Sequence, residues 1–263
     1  AELIISSEKS ILVCFLDTET TGVNKLNDQI IELAFKVVEF EESSGKIISI
    51  KCKYESFNQP DKSIKEQITT LTGINNEMVE NKEIDWSKVD SLLKDVDFII
   101  AHNASFDRAF VDKHSLISPK KIWACSIKDI DWFSKGFSNQ KQELLCYWHG
   151  FYCEAHRAMN DVDALIQLMI HPHYDKNRPI LELIKNAKKI ICKILVTNFP
   201  YDEQKKDMIK SHGYKWNTKE KIWYKEIFQK ELEFEKNYLS ETVYDGQFKG
   251  SHEEINSNEK YKS

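Results

Sequence analysis

The sequence lacks several features that would assign it to a large protein class. No apolar run approaches the roughly 18–20 residues that a membrane-spanning helix needs, and no signal peptide is visible at its start. None of the six cysteines forms a CxxC pair, which favours reduced, partly buried thiols over disulfides. We therefore expect a cytoplasmic protein without a membrane partner.

An excess of positive charge is also missing. The 263 residues carry a formal net charge of −5, and the 30% of charged residues are mixed in sign. This excludes a uniformly basic coat for nucleic acid, so any nucleic-acid site must be local. The hydrophobic fraction of 41% is sufficient for a real core, and the length fits one good-sized domain with a small second one.

Five segments in the first part of the chain have the pattern of strands. Residues 11–17 (ILVCFLD) form a continuous apolar run that ends in a carboxylate, which is typical of a strand buried on both faces. The other four strand patterns cover residues 29–40, 46–57, 97–102 and 121–126. Strands in succession, followed by strand–helix units, predict an α/β fold with a mixed five-stranded sheet flanked by helices.

Composition divides the chain into two domains and a tail. Polar and charged residues accumulate near residues 175–188, so we place a first domain at 1–178 and a small α/β domain at 190–246. Residues 251–263 are polar and lack apolar periodicity. We expect this tail to be disordered.

Two acids lie at the end of the first buried strand, within FLDTETTG. Asp17 and Glu19 are two residues apart, so a strand would place both carboxylates on one face. There they repel each other unless a cation joins them. The same letters also fit turn chemistry at a solvated strand end, and the pair alone does not decide between a site and a turn.

Two later segments supply further acids and a histidine. Asp107 lies in the first turns of a helix after a buried strand (AHNASFDRAF), and Asp161 follows His156 by five residues (HRAMND). Each has an ordinary interpretation as an acid near a helix N-terminus, a surface acid or a loop histidine. Together the segments give the order DxE, then D, then H-x4-D, each at the start or end of a regular element.

This order resembles the DEDDh branch of the 3′→5′ exonucleases, the ribonuclease H-like family of the proofreading epsilon subunit of bacterial DNA polymerase III. The resemblance covers roughly residues 10–173, and LTGI at 71–74 is similar to the family's glycine-containing segment between the first two motifs. By this resemblance His156 accepts the proton of the attacking water. The acids that would hold two Mg²⁺ or Mn²⁺ ions are Asp17, Glu19, Asp107 and Asp161.

The resemblance also implies a substrate. It is a nucleic acid with a free 3′ end, with DNA expected ahead of RNA, and the products are nucleoside 5′-monophosphates. Backbone groups would meet the terminal 3′-hydroxyl, and apolar side chains would pack on its base. The residues expected to bind the terminal nucleotide are Thr20, Thr21, Val23, Ile74 and Asn103.

Other functions remain open on the sequence. An exoribonuclease is the close alternative, since nothing reads the sugar 2′-hydroxyl unambiguously. A non-catalytic nucleic-acid-binding module is disfavoured because all five catalytic-type residues are present. A zinc scaffold built from Cys146, Cys153 and His156 lacks an evident fourth ligand. No feature indicates a protein partner or an oligomeric state.

The C-terminal domain contains a local concentration of lysines. Residues 205–225 hold seven lysines against two acids, with Tyr214, Trp216, Trp223 and Tyr224 interleaved. Lysines neutralise phosphates and aromatic faces stack on bases, so this segment is compatible with single-strand binding. In the alternative interpretation the aromatic residues form a core and the lysines are only solvated.

Overall fold

The computed structural model describes residues 9–262, with the side chains of residues 175 and 176 excepted. The chain divides into a first unit, Ala1–Ala187 with Tyr261–Ser263, and a second unit, Lys188–Lys260. The parts of the predicted first domain and tail that fall on residues 1–8 and 263 lie outside the described residues. Pro179–Ala187, which follows the predicted first domain, is a helix that belongs to the first unit.

The first unit is built on a mixed five-stranded sheet. Its strands, in chain order, are β1 (Ser10–Thr20), β2 (Ile30–Glu41), β3 (Ile47–Phe57), β4 (Phe98–Ala101) and β5 (Ile122–Cys125). The spatial order is β3-β2-β1-β4-β5. The pairs β1–β2 and β2–β3 are antiparallel, whereas β1–β4 and β4–β5 are parallel. The predicted mixed sheet of five strands is confirmed.

Helices cover both faces of this sheet. They are α1 (Glu66–Thr72), α2 (Asn76–Val79), α3 (Trp86–Leu93), α4 (Ala104–Val111), α5 (Gln142–Trp148), α6 (Ala158–Met169) and α7 (Pro179–Ala187), with 3-10 turns at Ser118–Lys120 and Pro172–Asn177. Among the described residues, no helix is long and apolar enough to cross a membrane.

The central strand β1 is apolar on both faces because different helices cover each face. Val13 and Phe15 pack in a core with α6 and α7, whereas Cys14 and Leu16 pack in a core with α3 and α4. Alternate side chains of a strand point to opposite faces, so burial on both sides requires an unbroken apolar run. Strand β1 pairs with β4 only over Val13–Phe15, and its last residues therefore extend beyond β4 to the edge where α4 begins.

The second unit has a separate antiparallel sheet with the order β7-β8-β6-β9. Its strands are β6 (Ile191–Val196), β7 (Lys215–Asn217), β8 (Ile222–Phe228) and β9 (Ser251–Ile255). Its helices are α8 (Glu203–Ser211) and α9 (Leu232–Thr242), with a 3-10 turn at Gln229–Glu231. The unit has its own apolar core between sheet and helices.

The expectation of a disordered tail over residues 251–263 was wrong. Ser251–Ile255 forms the edge strand β9 against β6, and the Tyr261 hydroxyl donates a hydrogen bond to Asp129 at 2.8 Å. Four of the five residues of β9 are exposed. The strand is therefore stabilised by backbone hydrogen bonds rather than by burial, and it carries no apolar alternation that the sequence could show.

Candidate active site

Three elements bring the predicted acids together at one end of the first sheet. Asp17 and Glu19 occupy alternate positions near the end of β1, Asp107 lies on α4, and Asp161 lies on α6. Carboxylate oxygens of Asp17, Glu19 and Asp161 lie within 4.8 Å of one another. Asp107 lines the same cleft, so the four acids form one cluster.

Asp107 is fixed by the residue between the two acids of β1. Its Oδ1 accepts hydrogen bonds from the backbone amide of Thr18 at 3.0 Å and from the Thr18 hydroxyl at 2.8 Å. Both residues are buried. The threonine of the Asp-Thr-Glu sequence thus ties α4 to the end of β1. Sequence reasoning gave Thr18 no role, because its partner is 89 residues away.

The spacing between His156 and Asp161 has a structural cause. The Asp161 Oδ2 atom accepts a hydrogen bond from the His156 backbone amide at 2.9 Å, and Gln142 Nε2 donates to its Oδ1 at 3.2 Å. His156 has a φ of 66°, a left-handed conformation that is uncommon outside glycine and often found at functional sites. The acid thereby fixes the backbone of the predicted general base.

The His156 ring lies at the rim of the cleft. Its side chain is 45% exposed, and Nε2 is 3.4 Å from Oε1 of Glu143, which is also exposed. Both residues line the cleft with the four acids. The imidazole is therefore accessible to a molecule in the cleft.

Burial and mutual repulsion make the four carboxyl groups difficult to ionise. Burial, followed by repulsion from Asp107 and Asp161, raises the pKa of Asp17 well above its ordinary value. Burial and the nearby Asp161 raise the pKa of Glu19 to about 8. Burial also raises the pKa of Asp107 to about 7 and that of Asp161 to about 6. The cluster therefore favours any cation that can neutralise it.

The donor set fits hard divalent cations. All four groups offer carboxylate oxygens, the ligands that Mg²⁺ and Mn²⁺ prefer. Within residues 9–262, no lysine or arginine forms an ion pair with any of the four acids. A divalent ion would relieve the repulsion that the protein itself leaves uncompensated.

An ion pair between a buried acid and a partly exposed arginine lies beside the cluster, and the sequence did not predict it. Glu32 is fully buried and stands opposite Glu19 in the β1–β2 register. It accepts hydrogen bonds from Arg157 Nη2 at 2.9 Å and from the Ala158 amide at 2.9 Å. Glu32 therefore anchors the start of α6, between His156 and Asp161. Its position in an alternating strand gave no signal beyond an acid inside an apolar run.

The residues predicted to bind the terminal nucleotide are dispersed. Asn103 lines the cleft, and Val23 is 82% exposed after β1. The Thr20 hydroxyl donates to the Gly22 carbonyl, and the Thr21 amide donates to the Gln29 carbonyl at 2.9 Å. Ile74 is fully buried in a small core. The predicted contact of Ile74 with a base is therefore wrong, since apolar packing keeps its side chain inside.

The cleft has a volume of about 690 Å³, within the range of small-molecule sites. Phe106 and the exposed Phe133 give it aromatic surface.

Both ring nitrogens of His102, which also lines the cleft, are hydrogen-bonded. Their partners are Ser126 Oγ at 2.6 Å and the Gln140 carbonyl at 2.8 Å. Burial lowers the pKa of His102 to about 4, so this histidine is neutral and holds the cleft wall.

Comparison with known proteins agrees with this geometry. The exonuclease family model (RNase_T) matches residues 14–169. The chain is 29% identical over 188 residues to the PolC-type DNA polymerase III of Listeria innocua, an alignment that covers 67% of this chain and 12% of that protein. It is 36% identical over 157 residues to the 3′-5′ exonuclease DinG of Bacillus subtilis, covering 57% and 16%. The chain thus spans only a small part of these relatives.

Among solved structures, E. coli exonuclease I in complex with a dT13 oligonucleotide superposes with a TM-score of 0.50 at 16% identity, covering 70% of this chain and 48% of that one. At this identity the likeness shows the fold alone. The fold and the acidic cleft are those of a nuclease domain. The chain belongs to the exonuclease family, which confirms at the level of the family the resemblance drawn from the sequence.

The raised carboxyl pKa values predict that the metal-free protein loses stability as the pH rises. Folded Glu19 and Asp107 keep their protons up to about pH 8 and about pH 7, whereas unfolded carboxyls ionise near pH 4. The folded state therefore binds more protons in this window, and the free energy of unfolding falls from about pH 4 to about pH 8. In EDTA, we expect a lower melting temperature at about pH 8.5 than at about pH 6, and Mg²⁺ should narrow the difference.

Scanning calorimetry of a variant pair separates this effect from other titrations. Glu19→Gln removes one of the raised groups, so it should increase the metal-free melting temperature at high pH and flatten the pH dependence. Glu66→Gln changes an exposed acid on α1 and should behave like the parent. An unaltered pH dependence in Glu19→Gln would contradict the proposed repulsion.

The Glu32–Arg157 pair predicts that a substitution on β2 affects the segment that carries His156 and Asp161. Glu32→Gln leaves Arg157 without its charged partner, and we expect the free energy of unfolding to fall by about 1.5–3 kcal/mol. Activity should fall as well, because the start of α6 carries His156 and Asp161. Chemical denaturation and an activity assay measure the two effects. Glu39 lies on β2, as Glu32 does, and Glu39→Gln removes its more exposed ion pair with Lys51 of β3. This control should change stability and activity far less than Glu32→Gln. Equal losses in the two variants would refute a specific role for Glu32.

Proposed function

We propose that this chain is a metal-dependent 3′→5′ exonuclease that hydrolyses single-stranded DNA from its 3′ end and releases nucleoside 5′-monophosphates. The observation that carries this proposal is the convergence of Asp17, Glu19, Asp107, Asp161 and His156 at one cleft. Family membership supports the reaction and its polarity. DNA is preferred as the substrate because the relatives are named as DNA polymerases and exonucleases.

The four acids would hold two Mg²⁺ or Mn²⁺ ions. When bound, such ions neutralise phosphate charge, activate a water molecule and stabilise the leaving 3′-oxygen. The chain contributes oxygen ligands whose positions are set beforehand, since Thr18 holds Asp107 and Gln142 holds Asp161. Preorganised ligands need little rearrangement when the anionic substrate arrives.

His156 would act as the general base. A neutral imidazole accepts a proton near physiological pH, and the ring lies exposed at the cleft rim. The Glu143 carboxylate lies 3.4 Å from Nε2, next to the ring that would take up the proton. Asp161 holds the His156 amide, so the base keeps a constant position relative to the acid cluster.

The terminal nucleotide would occupy the cleft beside the acids. Asn103 offers an amide for hydrogen bonding, and Phe106 and Phe133 offer aromatic faces for a base. Val23 is exposed after β1 and would pack on the base from that side, with Thr20 and Thr21 contributing backbone groups. His102 is neutral and both of its ring nitrogens are hydrogen-bonded. It would therefore stabilise the side of the cleft without contacting the reacting phosphate.

Digestion of end-labelled oligonucleotides tests the reaction. With Mg²⁺ or Mn²⁺, we expect a 5′-labelled DNA strand to shorten in single-nucleotide steps, and a 3′-labelled strand to release labelled mononucleotide at once. EDTA and Asp107→Asn should each abolish hydrolysis, while circular dichroism of the variant stays that of the parent. Activity in EDTA, or shortening from the 5′ end, would reject the proposal. Faster digestion of a matched RNA strand would identify an exoribonuclease instead.

His156→Ala tests the general base separately from the metal site. We expect turnover to fall by about 10²–10⁴-fold, the usual contribution of a positioned base, while the increase in melting temperature with Mn²⁺ is retained. His252→Ala, in the exposed strand β9, is the matched control and should keep full turnover. A loss below tenfold in His156→Ala would exclude this histidine as the base.

A further inference from the structure

The second unit contains a groove with aromatic walls at the open edge of its sheet. Val196 on β6 pairs with Trp223 on β8, and Trp223 pairs with Trp216 on β7. Residues paired across strands share a face of the sheet, so these three form one row. Val196 is in the core of the unit, whereas Trp216, at the edge strand, is 46% exposed. The apolar row therefore runs from the core into solvent.

The groove is large enough for a planar ligand. Its volume is about 740 Å³, and its walls include Phe199, Tyr201, Trp216 and Trp223. The two indoles have ring centroids 5.4 Å apart and are tilted by 58°, so they offer two faces at an angle. Tyr201 is fully exposed. By contrast, Tyr214 is buried in the core and completes the fold of the unit.

Three acids and two lysines line the groove, and their charges are only partly paired. Glu203 pairs with Lys206 and Glu220 with Lys193, whereas Asp202 accepts a hydrogen bond from the neutral Lys205 amide. On the hairpin that joins β7 and β8, Lys219 and Lys221 are exposed. Neither of their ammonium groups pairs with an acid anywhere in residues 9–262.

Lys221 has a feature that a solvated lysine does not require. It lines the groove and adopts a φ of 53°, a conformation for which asparagine or glycine is the usual choice in a hairpin. A lysine in this left-handed conformation is less favourable than asparagine or glycine would be, and the hairpin nevertheless has a long cationic side chain at this position. The nearby Lys193 reaches across to Glu220 at 3.7 Å, which leaves Lys221 as a cation that faces the groove.

We propose that this groove binds single-stranded DNA, with a nucleobase stacked on Trp216 and Trp223 and the adjoining phosphates near Lys219 and Lys221. Aromatic faces combined with lysines are the elements that bind single strands without reading sequence. An apolar peptide would not need the unpaired lysines, and an acidic peptide would not need the exposed indole of Trp216 beside the partly buried one of Trp223. The choice of DNA as occupant rests on the proposed exonuclease function.

Binding measured on the full chain in EDTA tests the groove without hydrolysis. The probe is a fluorescein-labelled oligo(dT) of about 20 nucleotides, a length that exceeds a typical single-strand site. We expect Trp216→Ala to weaken binding by about 5- to 150-fold, the usual loss for one stacked base, and Trp216→Phe to retain most of the affinity. Phe234→Ala removes a more exposed aromatic residue from α9, and this variant should bind like the parent.

The lysines provide a second readout that does not depend on tryptophan packing. Lys221→Asn keeps a residue suited to the left-handed conformation, and it should reduce the slope of log affinity against log salt by about 0.7, as expected for one lost phosphate contact. Lys219→Ala should do the same. Lys230→Ala, an exposed lysine outside the hairpin, is the matched control and should leave the slope unchanged.

Several outcomes would overturn the proposal. They are affinity within twofold of the parent in Trp216→Ala, equal losses in Phe234→Ala, an unchanged salt slope in Lys221→Asn, and tighter binding of oligo(rU) or of a blunt duplex than of oligo(dT). A chain that failed to hydrolyse DNA would still test the groove, because the assay contains EDTA. Conversely, hydrolysis without any Trp216-dependent binding would reject the groove and leave the proposed reaction standing.

Discussion

Four carboxylates at the end of a buried strand repel one another, and much of the first unit is arranged to hold them there. Strand β1 is covered on both faces, so Asp17 and Glu19 cannot move away without disturbing a core. Helices α4 and α6 then bring Asp107 and Asp161 to the same point. The raised carboxyl pKa values are the consequence, and the folded protein is less stable at neutral pH than it would be with neutral groups at these positions.

Two of the four acids are held by neutral donors rather than by cations. Asp107 is held by Thr18, and Asp161 by Gln142 and the His156 amide. Arg157 is paired with Glu32, a fifth buried acid, although its charge also lowers the pKa of Glu19. Within residues 9–262, no lysine or arginine forms an ion pair with any of the four acids. Neutral donors thus orient two of the carboxylates while the charge of the cluster stays available for a divalent ion.

The sequence predicted the parts of this arrangement that are local. An unbroken apolar run identified β1, and three short motifs identified the four acids and the histidine. It did not predict Thr18 or Glu32, whose partners lie 89 and more than 120 residues away. The prediction for Ile74 was wrong because the sequence does not show whether an isoleucine in a loop is exposed or buried. Strand β9 was missed because an exposed edge strand carries no apolar alternation.

The second unit shows why one segment supported two interpretations. Tyr214 is part of a core, as one interpretation expected, whereas Trp216 is exposed, so of these two residues only Trp216 is accessible to a ligand. A cleft lined by acids repels a polyanion until cations occupy it, and the chain as a whole is negative. Attraction for a nucleic-acid strand must then come from a separate positive surface. The exposed lysines Lys219 and Lys221 and the exposed indole of Trp216, all on or beside the β7–β8 hairpin, have the composition that such a surface requires.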